Sequence, residues 1–408
     1  MKILFISYDF PYPPSGGSIS RDYNLIKQLS KTNELYWINR TIRGRVKDEY
    51  KLEMKKYFKE MKIFEKEFDH NAVNFLKCML KGKPYILKRF ESEEMKSTVK
   101  EMTERIQFDL ILCDHIYLAQ IIPDEISGKI PVIPNNEDCG FTYYKRMSEN
   151  SGLIRKLYAG IEWKNLLKYE IDILKKYNVY VTTSEKEKQL LSEHYDKANV
   201  FVLDNGVDTE YFYPNGRFKN ENPVLVFTAW FGYHPNTDAA VYFVKNIFPI
   251  IKKEIPGTKF YIVGKEPPER VKMLESTEGV TVTGYVDDVR TYLSMADVSV
   301  IPLRIGGGTR IKILESMAMK VPVVSTELGA EGLDVEDNKN IMIASDENEF
   351  AEKVLTLIRD KKMSEFISVN GKKLIDEKYD WNKLGKKMND FLNEFVNFAK
   401  KEKHEAGI

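Results

Sequence analysis

The sequence has few cysteines, little net charge and no long apolar run, and each scarcity excludes a class of protein. Three cysteines in 408 residues, none in a Cys-x-x-Cys pair, exclude a disulfide scaffold and a cysteine-rich zinc site. A net charge of +1 gives no support to bulk binding of nucleic acid. No stretch approaches the roughly 20 apolar residues of a membrane span, and the N-terminus lacks the apolar core of a signal peptide. We therefore expect a cytoplasmic protein, at most peripheral on the cytoplasmic face of a membrane.

Short β-branched runs alternate with amphipathic helical stretches, and this rhythm predicts an α/β fold. Several runs are almost wholly apolar, as are strands of a parallel sheet that is covered on both faces. The chain is also too long for one ordinary core, so two domains are expected. The predicted strands are 3–7, 35–38, 110–113, 179–183, 200–203, 225–228, 260–263, 280–283, 298–303 and 322–325.

The βαβ rhythm restarts near residue 223, after the turn-rich segment 204–216. We therefore predict two Rossmann-like, doubly wound domains that face each other across a cleft. Residues 1–205 form the first domain, 206–222 a linker and 223–380 the second domain. Residues 381–408 form a helix and tail, and the apolar spacing of this helix predicts a packing helix. In two-domain folds of this kind such a helix can cross back to the first domain, and we expect this here.

The most informative segment is GGGTRIKILESMAMKVPVVSTELGAEGL, residues 306–333. Its glycines permit close approach of the backbone, and Thr309 is the predicted N-cap of a helix. Arg310 and Lys312 then occupy the first helical turn, where the partial positive charge of the helix end favours acids. Cations are favourable there if an anion lies between them and the free N–H groups. The segment therefore predicts a phosphate-binding turn.

A purely structural interpretation of the same turn remains open. In that alternative the two cations are solvated, and Lys312 pairs with Glu315 at i,i+3. The coincidence of glycines, cations and a helix start favours the phosphate-binding turn. The pattern is neither a G-x-G-x-x-G fingerprint nor a Walker loop, so neither common nucleotide motif applies.

The segment resembles the donor site of retaining glycosyltransferases of family 4, which have the GT-B fold. Similar segments extend along nearly the whole chain, least clearly at 40–110. They are SYDFPYPPSGGSISR (7–21), TTSEKEKQLL (182–191), LDNGVDTEYFYP (203–214), FYIVGKEPPE (260–269) and VTVTGYVDDVRTYLSMADVSVIPL (280–303). The resemblance implies transfer of a sugar from a UDP- or GDP-sugar to a saccharide or lipid-linked acceptor in polysaccharide or glycoconjugate biosynthesis. It also implies retention of configuration, no metal or other cofactor, a first domain for the acceptor and a second for the donor.

The resemblance implies roles for individual residues as well. Glu315 matches the glutamate that holds the ribose hydroxyls of the donor. The other donor-binding positions are Gly16 and Gly17 in the N-terminal glycine loop, Gly284, Tyr285 and Val286 beside the base, and Gly307, Gly308 and Thr309 beside the distal phosphate or sugar.

Two departures from the family pattern affect this assignment. Gly307 stands where many members have a glutamate that contacts the sugar. The segment 229–240 has no arginine or lysine, although many members have both there. We therefore expect Arg310 and Lys312 to supply the counter-charge of the diphosphate and to act in catalysis.

Weaker candidates follow two apolar runs of the first half. Glu137 or Asp138 could contact the acceptor or the sugar, and the alternative is a solvated loop or a helix cap. We include Asp138 among the candidate catalytic residues. Asn135 takes the place of a histidine that is common in the family. His115 follows LILCD, and a structural role is favoured for it.

Two further candidates lie in the second half, and a third is a basic segment of the first. His234 could line the donor cleft, or it could belong to a turn. Glu331 could meet the donor sugar, or it could be an exposed acid of a turn. Residues 40–66 are rich in lysine and arginine with interleaved apolar residues, so a basic amphipathic helix there could contact a membrane. A solvated face is the alternative.

Two other functions stay open at this point. One is a nucleotide-sugar epimerase on the same fold, which needs acid–base groups around the sugar; the five histidines do not cluster in the sequence. The other is a catalytically degenerate protein that binds a nucleotide-sugar, as Gly307 suggests. Fold alone does not distinguish either from a transferase.

Overall fold

The computed structural model describes residues 1–14, 16–66, 72–136, 139–150, 152–197, 199–214, 216, 220–306 and 310–405. The chain divides into two compact units. Unit 1 comprises residues 1–204 and 385–408, and unit 2 comprises residues 205–384. Each unit contains one parallel sheet with helices between its strands. The predicted α/β class with two Rossmann-like domains is confirmed.

The strands of the described ranges overlap every predicted strand. They are β1 (Lys2–Tyr8), β2 (Glu34–Thr41), β3 (Phe58–Glu65), β4 (Leu110–Asp114), β5 (Val132–Asn135), β6 (Val179–Thr182), β7 (Asn199–Val202), β8 (Val224–Thr228), β9 (Lys259–Val263), β10 (Val280–Gly284), β11 (Val298–Ile301), β12 (Val323–Thr326) and β13 (Met342–Ala344).

The α-helices connect these strands and cover the sheets. In the same ranges they are α1 (Gly17–Leu29), α2 (Asp48–Met54), α3 (Ala72–Leu80), α4 (Glu93–Arg105), α5 (Asp124–Ser127), α6 (Gly140–Asn150), α7 (Leu153–Tyr177), α8 (Glu185–Ser192), α9 (His234–Tyr242), α10 (Phe248–Glu254), α11 (Glu269–Lys272), α12 (Arg290–Met295), α13 (Ile311–Ala318), α14 (Glu327–Ala330), α15 (Glu347–Arg359), α16 (Lys361–Leu374) and α17 (Trp381–Glu405).

Strand order places a switch point in each sheet. In unit 1 the order is β3-β2-β1-β4-β5-β6-β7, and in unit 2 it is β10-β9-β8-β11-β12-β13. All of these pairs are parallel. In unit 1, β2 and β3 lie on one side of β1 and β4 lies on the other side. In unit 2, β9 and β10 lie on one side of β8 and β11 lies on the other side. Ligands of doubly wound sheets bind at the carboxyl ends of strands beside such a point.

The first strand of unit 2 shows why the strands read as continuous apolar runs. Along β8, Leu225 and Phe227 belong to one buried cluster, while Val226 between them belongs to another. Successive side chains of a strand point to opposite faces, so both faces of this strand are covered. The buried sheet is a rigid support for the loops at its carboxyl edge.

The predicted amphipathic helix in residues 40–66 is wrong. After the end of β2, this segment forms the short helix α2 and then β3, the edge strand of the unit 1 sheet. Met54 and Phe58 of this segment are buried, whereas Leu52 is 68% exposed. Lysine and glutamate between them protect an exposed sheet edge from pairing with other chains.

The last helix belongs to both units. Its first four residues count with unit 2, and from Gly385 onward it counts with unit 1. In unit 1, Phe391 stacks on Phe201 with ring centroids 4.0 Å apart, and Lys387 Nζ donates to the Val202 carbonyl at 2.8 Å. None of the helices in the described ranges has both the length and the apolar composition that a bilayer crossing requires.

Close packing of α17 on α1 leads to a testable difference between two helical glycines. A Cβ added at Gly385 would lie 2.4 Å from Gln28 Cβ, whereas a Cβ added at Gly160 in α7 meets nothing within 4 Å. Overpacking of this kind costs about 1–3 kcal/mol, and Gly→Ala in an open helix position gains about 0.5–1 kcal/mol. We expect Gly385→Ala to lower the urea midpoint of unfolding and Gly160→Ala to raise it. A rise for both variants would show that α17 does not dock as described.

Candidate functional site

The candidate site is built around the start of α13, which follows β11 at the switch point of unit 2. The helix begins at Ile311, its N-cap is Arg310, and its first turn contains no acid. Thr309, the predicted N-cap, lies outside the described residues. Among the described residues no side chain caps this helix start, because an arginine cannot accept a hydrogen bond from backbone N–H groups.

Lys312 is held from the other side of the switch point. Its Nζ donates to Asn236 Oδ1 at 2.6 Å and lies 4.8 Å from the centre of the Phe227 ring. Asn236 is in the first turn of α9, the helix that follows β8, and its own amide donates to the Trp230 carbonyl at 2.7 Å. The lysine thus bridges the two helix starts that flank β8 and β11.

Arg310 is the second cation of the site and is only 7% exposed. The position of its guanidinium depends on Gly306, whose φ is 116°, a conformation that disfavours other residues. A Cβ at Gly306 would lie 3.2 Å from Arg310 Nη2 and 3.3 Å from Pro235. The first glycine of the turn therefore leaves room for the arginine beside α9.

Burial moves the pKa values of Lys312 and Glu315 toward 7, and repulsion from Arg310 adds to the shift of Lys312. The pKa of Lys312 is lowered to about 7, first by burial and then by Arg310, against the opposing effect of Glu315. The pKa of Glu315 is raised to about 7 by burial, against the effect of Lys312. Among the residues described, Lys312 and Glu315 make no ion pair within 4.0 Å. Arg310 is buried and Lys312 is half-buried, so neither cation is fully solvated.

The turn after β10 has the form expected for a surface that contacts a base. Gly284 ends the strand with φ at 68°, and its carbonyl accepts from Gly264 N at 3.1 Å. Tyr285 is 67% exposed, and Val286 is half-buried against the cluster that covers one face of the sheet. This turn lies at the same carboxyl edge of the sheet as the start of α13.

His234 and Glu331 also lie at this edge. His234 is exposed at the first position of α9. Glu331 is partly exposed and follows α14, where Thr326 caps the helix by accepting from Gly329 N at 3.0 Å. The carboxyl edge of this sheet thus brings together the unit 2 candidates that are described.

Other candidates lie in unit 1 or outside the described residues. Gly16, with φ at 126°, is the N-cap of α1, and Gly17 is its first residue; both are exposed. Asn135 is buried and donates to Asp114 Oδ1, so it belongs to a hydrogen-bond network of the core. His115 ends the β4 region with φ at 95°. Five candidates fall outside the described ranges: Glu137, Asp138, Gly307, Gly308 and Thr309.

Sequence reasoning missed Asn236 as a member of the site. It lies in the segment 229–240, which has no arginine or lysine. Its position in the sequence could have identified it, because a polar residue in the first helical turn after the first strand of a domain lies at the switch point. Its amide oxygen positions the lysine that compensates for the missing cations of that segment.

The proximity of Arg310 to Lys312 makes a spectroscopic prediction. Arg310→Gln removes a like charge, so the pKa of Lys312 should rise above about 7. Titration by NMR of lysines labelled at Cε measures this shift, and Arg270→Gln, an exposed arginine of α11, is the matched control. A Lys312 pKa near 10.5 in the unmodified protein would contradict the burial of this lysine.

Comparison with known proteins agrees with this geometry. Residues 222–360 match the family model described as glycosyl transferases group 1. The chain is 22% identical over 399 residues to an uncharacterized 44.6 kDa protein in the cps region of Klebsiella pneumoniae, covering 94% of this chain and 97% of that one. It is 24% identical over 238 residues to the capsular polysaccharide biosynthesis glycosyltransferase CapM of Staphylococcus aureus, covering 54% of this chain and 60% of that one.

Solved structures share the fold over almost the whole length. A sucrose-phosphate synthase from Thermosynechococcus elongatus has a TM-score of 0.70 at 14% identity, covering 97% of this chain and 99% of that one. HepE of Anabaena, in complex with UDP and glucose, has a TM-score of 0.65 at 15% identity, covering 97% and 100%. Residues 222–360 therefore match the glycosyl transferases group 1, and the whole chain shares the two-sheet fold of these solved structures.

Proposed function

We propose that the enzyme transfers a sugar from a nucleotide-sugar to a saccharide or lipid-linked acceptor in polysaccharide biosynthesis, with retention and without a metal. Unit 2 holds the donor, and unit 1 holds the acceptor. The single observation that carries the proposal is the buried pair of cations, Arg310 and Lys312, at an uncapped helix start beside the switch point. CapM, whose name includes capsular polysaccharide biosynthesis, supports the pathway, and HepE, bound to UDP and glucose, supports the donor class.

The chemistry of glycosyl transfer requires positive charge in this place. The bond between the anomeric carbon and the diphosphate breaks, and negative charge accumulates on the leaving phosphate. Cations and helix N–H groups fixed beside that phosphate stabilise the transition state more than the ground state. Two fixed cations provide the counter-charge that a divalent metal provides elsewhere, which is why we propose a metal-independent reaction.

Glu315 has the properties of a ribose-binding residue in this proposal. It lies one turn after Arg310 on α13, is half-buried, and among the described residues has only the electrostatic interaction with Lys312. A carboxylate accepts hydrogen bonds from two neighbouring hydroxyls at once. We assign the base to the turn of Gly284, Tyr285 and Val286, where the exposed Tyr285 ring offers a stacking surface.

The donor site is tested by calorimetric titration with UDP, GDP and ADP in the presence of EDTA. We expect micromolar binding of one nucleotide, weakened by about tenfold or more in Lys312→Met and Glu315→Gln, as expected for loss of a charge-assisted hydrogen bond. Arg270→Gln and Glu352→Gln, exposed residues of unit 2, serve as matched controls. If no nucleotide binds, or if the control variants weaken binding equally, the assignment fails. Release of free nucleoside diphosphate together with a glycosylated acceptor then separates transfer from epimerisation.

The pKa of Lys312 predicts how nucleotide affinity depends on pH. Only the protonated lysine attracts the diphosphate, and its pKa in the free protein is about 7. Affinity should therefore fall above pH 7, by up to about tenfold per pH unit, because binding then requires uptake of a proton. Calorimetric titrations between pH 6.5 and 9, in buffers of different ionisation enthalpy, measure the fall in affinity and the number of protons taken up on binding.

Two variants identify the group responsible for this alkaline limb. Lys312→Met should bind weakly at every pH in the range, and Lys312→Arg should bind without the alkaline fall, since arginine stays protonated. An alkaline fall of full size in Lys312→Arg would assign the proton to another residue.

A further inference from the structure

A second group of cations lies at the carboxyl edge of the unit 1 sheet. The register of the parallel pairs aligns Tyr8 at the end of β1 with Arg40 on β2. It also aligns Ser7 with Asp114 on β4, so His115 follows at the level of Tyr8. Register partners in a parallel pair point to the same face of the sheet. Arg40, Tyr8 and His115 therefore form a row across three adjacent strands beside the switch point of this domain.

Arg40 is buried without compensation. The residue is only 3% exposed, and its Nε and Nη1 atoms have no hydrogen-bond partner. Across the described ranges, no carboxylate lies within 4.0 Å of its guanidinium; Asp9, which follows the register partner of Arg40 on β1, instead faces Arg45 at 4.0 Å. A buried arginine normally has its charge paired and its N–H groups bonded.

Arg89 brings a second positive charge to the same row. It lies at the end of the 3₁₀ turn Tyr85–Arg89, its Nε donates to Tyr8 Oη at 2.7 Å, and its guanidinium lies 4.9 Å from the centre of the Tyr8 ring. Burial lowers the pKa of Arg40, Tyr8 opposes this shift, and repulsion from Arg89 lowers the pKa further. The phenol orients Arg89 but does not neutralise either cation.

His115 completes the group on the other side of Tyr8. Its ring lies 4.9 Å from that of Phe90 and 4.7 Å from that of Tyr117, and its Nδ1 is buried without a partner. Burial and the charge of Arg89 lower its pKa to about 4, so it is neutral at pH 7. A neutral imidazole can place its hydrogen on Nδ1 and donate it to a bound group. The left-handed backbone of His115, with φ at 95°, is unfavourable for this residue type and is typical of functional sites.

The side chains of this row require a partner that accepts hydrogen bonds and also carries negative charge. Buried water would satisfy the free N–H groups but would leave two neighbouring positive charges uncompensated. An anion with two or more oxygens satisfies both, because it accepts from the fork of an arginine and neutralises its charge. Phosphate and carboxylate groups have this form.

We propose that Arg40, Arg89 and His115, with Tyr8 orienting Arg89, bind an anionic group of the acceptor, so that the acceptor is an acidic saccharide or a phosphorylated one. The assignment of this anion to the acceptor rests on the proposed function, in which unit 1 holds the acceptor. Arg40 and Arg89 are binding residues here, and neither is assigned a part in breaking the donor bond.

Binding of simple anions tests the site independently of the donor. The protein carries Arg310→Gln and Lys312→Met as a background, which removes the cations of unit 2 as a competing phosphate site. Inorganic phosphate and glucuronate are the probes, glucose is the neutral control, and chloride keeps the ionic strength constant. We expect phosphate or glucuronate, but neither control, to raise the thermal midpoint by several degrees at millimolar concentration.

Variants of unit 1 then locate the bound anion. Arg40→Met and Arg89→Gln should each weaken binding of the preferred anion by at least tenfold, and Arg43→Gln, an exposed arginine three residues after Arg40, should leave it unchanged. Arg40→Met should also raise the thermal midpoint in anion-free buffer, because it removes an uncompensated buried charge. If Arg40→Met does not fold, Arg40→Lys, which keeps the charge but not the fork, is measured instead and should weaken binding.

The outcomes separate the possible failures. Stronger binding of phosphate indicates a phosphorylated acceptor, and stronger binding of glucuronate indicates a uronic acid; either supports the site. No anion binding, or equal binding in Arg40→Met, overturns it, as does a lowered midpoint of Arg40→Met in anion-free buffer. Nucleotide titration of these unit 1 variants on the otherwise unchanged protein should match the parent, so failure of the donor site is recognised separately.

Discussion

The hydrogen bond from Lys312 to Asn236 is the contact on which the candidate site of unit 2 depends. It joins the helix after β8 to the helix after β11 and so fixes a positive charge at the switch point. An amide oxygen is suited to this task because it orients the ammonium without neutralising it. An aspartate at the same position would hold the lysine equally well but would cancel the charge that a diphosphate needs. The amide of Asn236 therefore fixes the position of Lys312 and leaves its charge in place.

The segment after β8 contributes an amide to this site and no cation. This is how the sequence departs from the family pattern, in which many members have an arginine and a lysine there. Residues 229–240 contain no lysine or arginine, and their contribution is a turn, a proline and an amide at the start of α9. The cations come from α13, and Gly306 gives one of them room against Pro235. The two elements are far apart in the sequence, yet parallel topology brings them side by side, because β8 and β11 are adjacent and their carboxyl ends meet at one edge.

The sequence predicts those parts of the molecule that depend on local pattern. Apolar runs such as that of β8 can be recognised as strands from the sequence. Both faces of such a strand are buried, so none of its positions favours a polar residue. In contrast, β3 escapes notice because an edge strand alternates apolar residues with lysine and glutamate, and such a pattern is equally compatible with a helix surface. The sequence does not predict the contact of Lys312 with Asn236 or the burial of Arg40, for a different reason. Both arise from neighbours distant in the chain, and an arginine at the end of a strand carries no local sign of whether it is buried.

Burial of an arginine is not by itself the sign of a binding site, as two arginines of unit 1 show. Arg21 is fully buried, but its Nη1 donates to the Leu203 carbonyl at 3.0 Å and the Asp204 carbonyl at 3.2 Å, and the Asp114 carboxyl group interacts with its charge. It therefore holds the core together. Arg40 has neither carbonyls nor a carboxylate among the described residues, and a second cation lies close to it. A fold would lose nothing by replacing such a residue with methionine, so its presence is explained by a ligand that completes it.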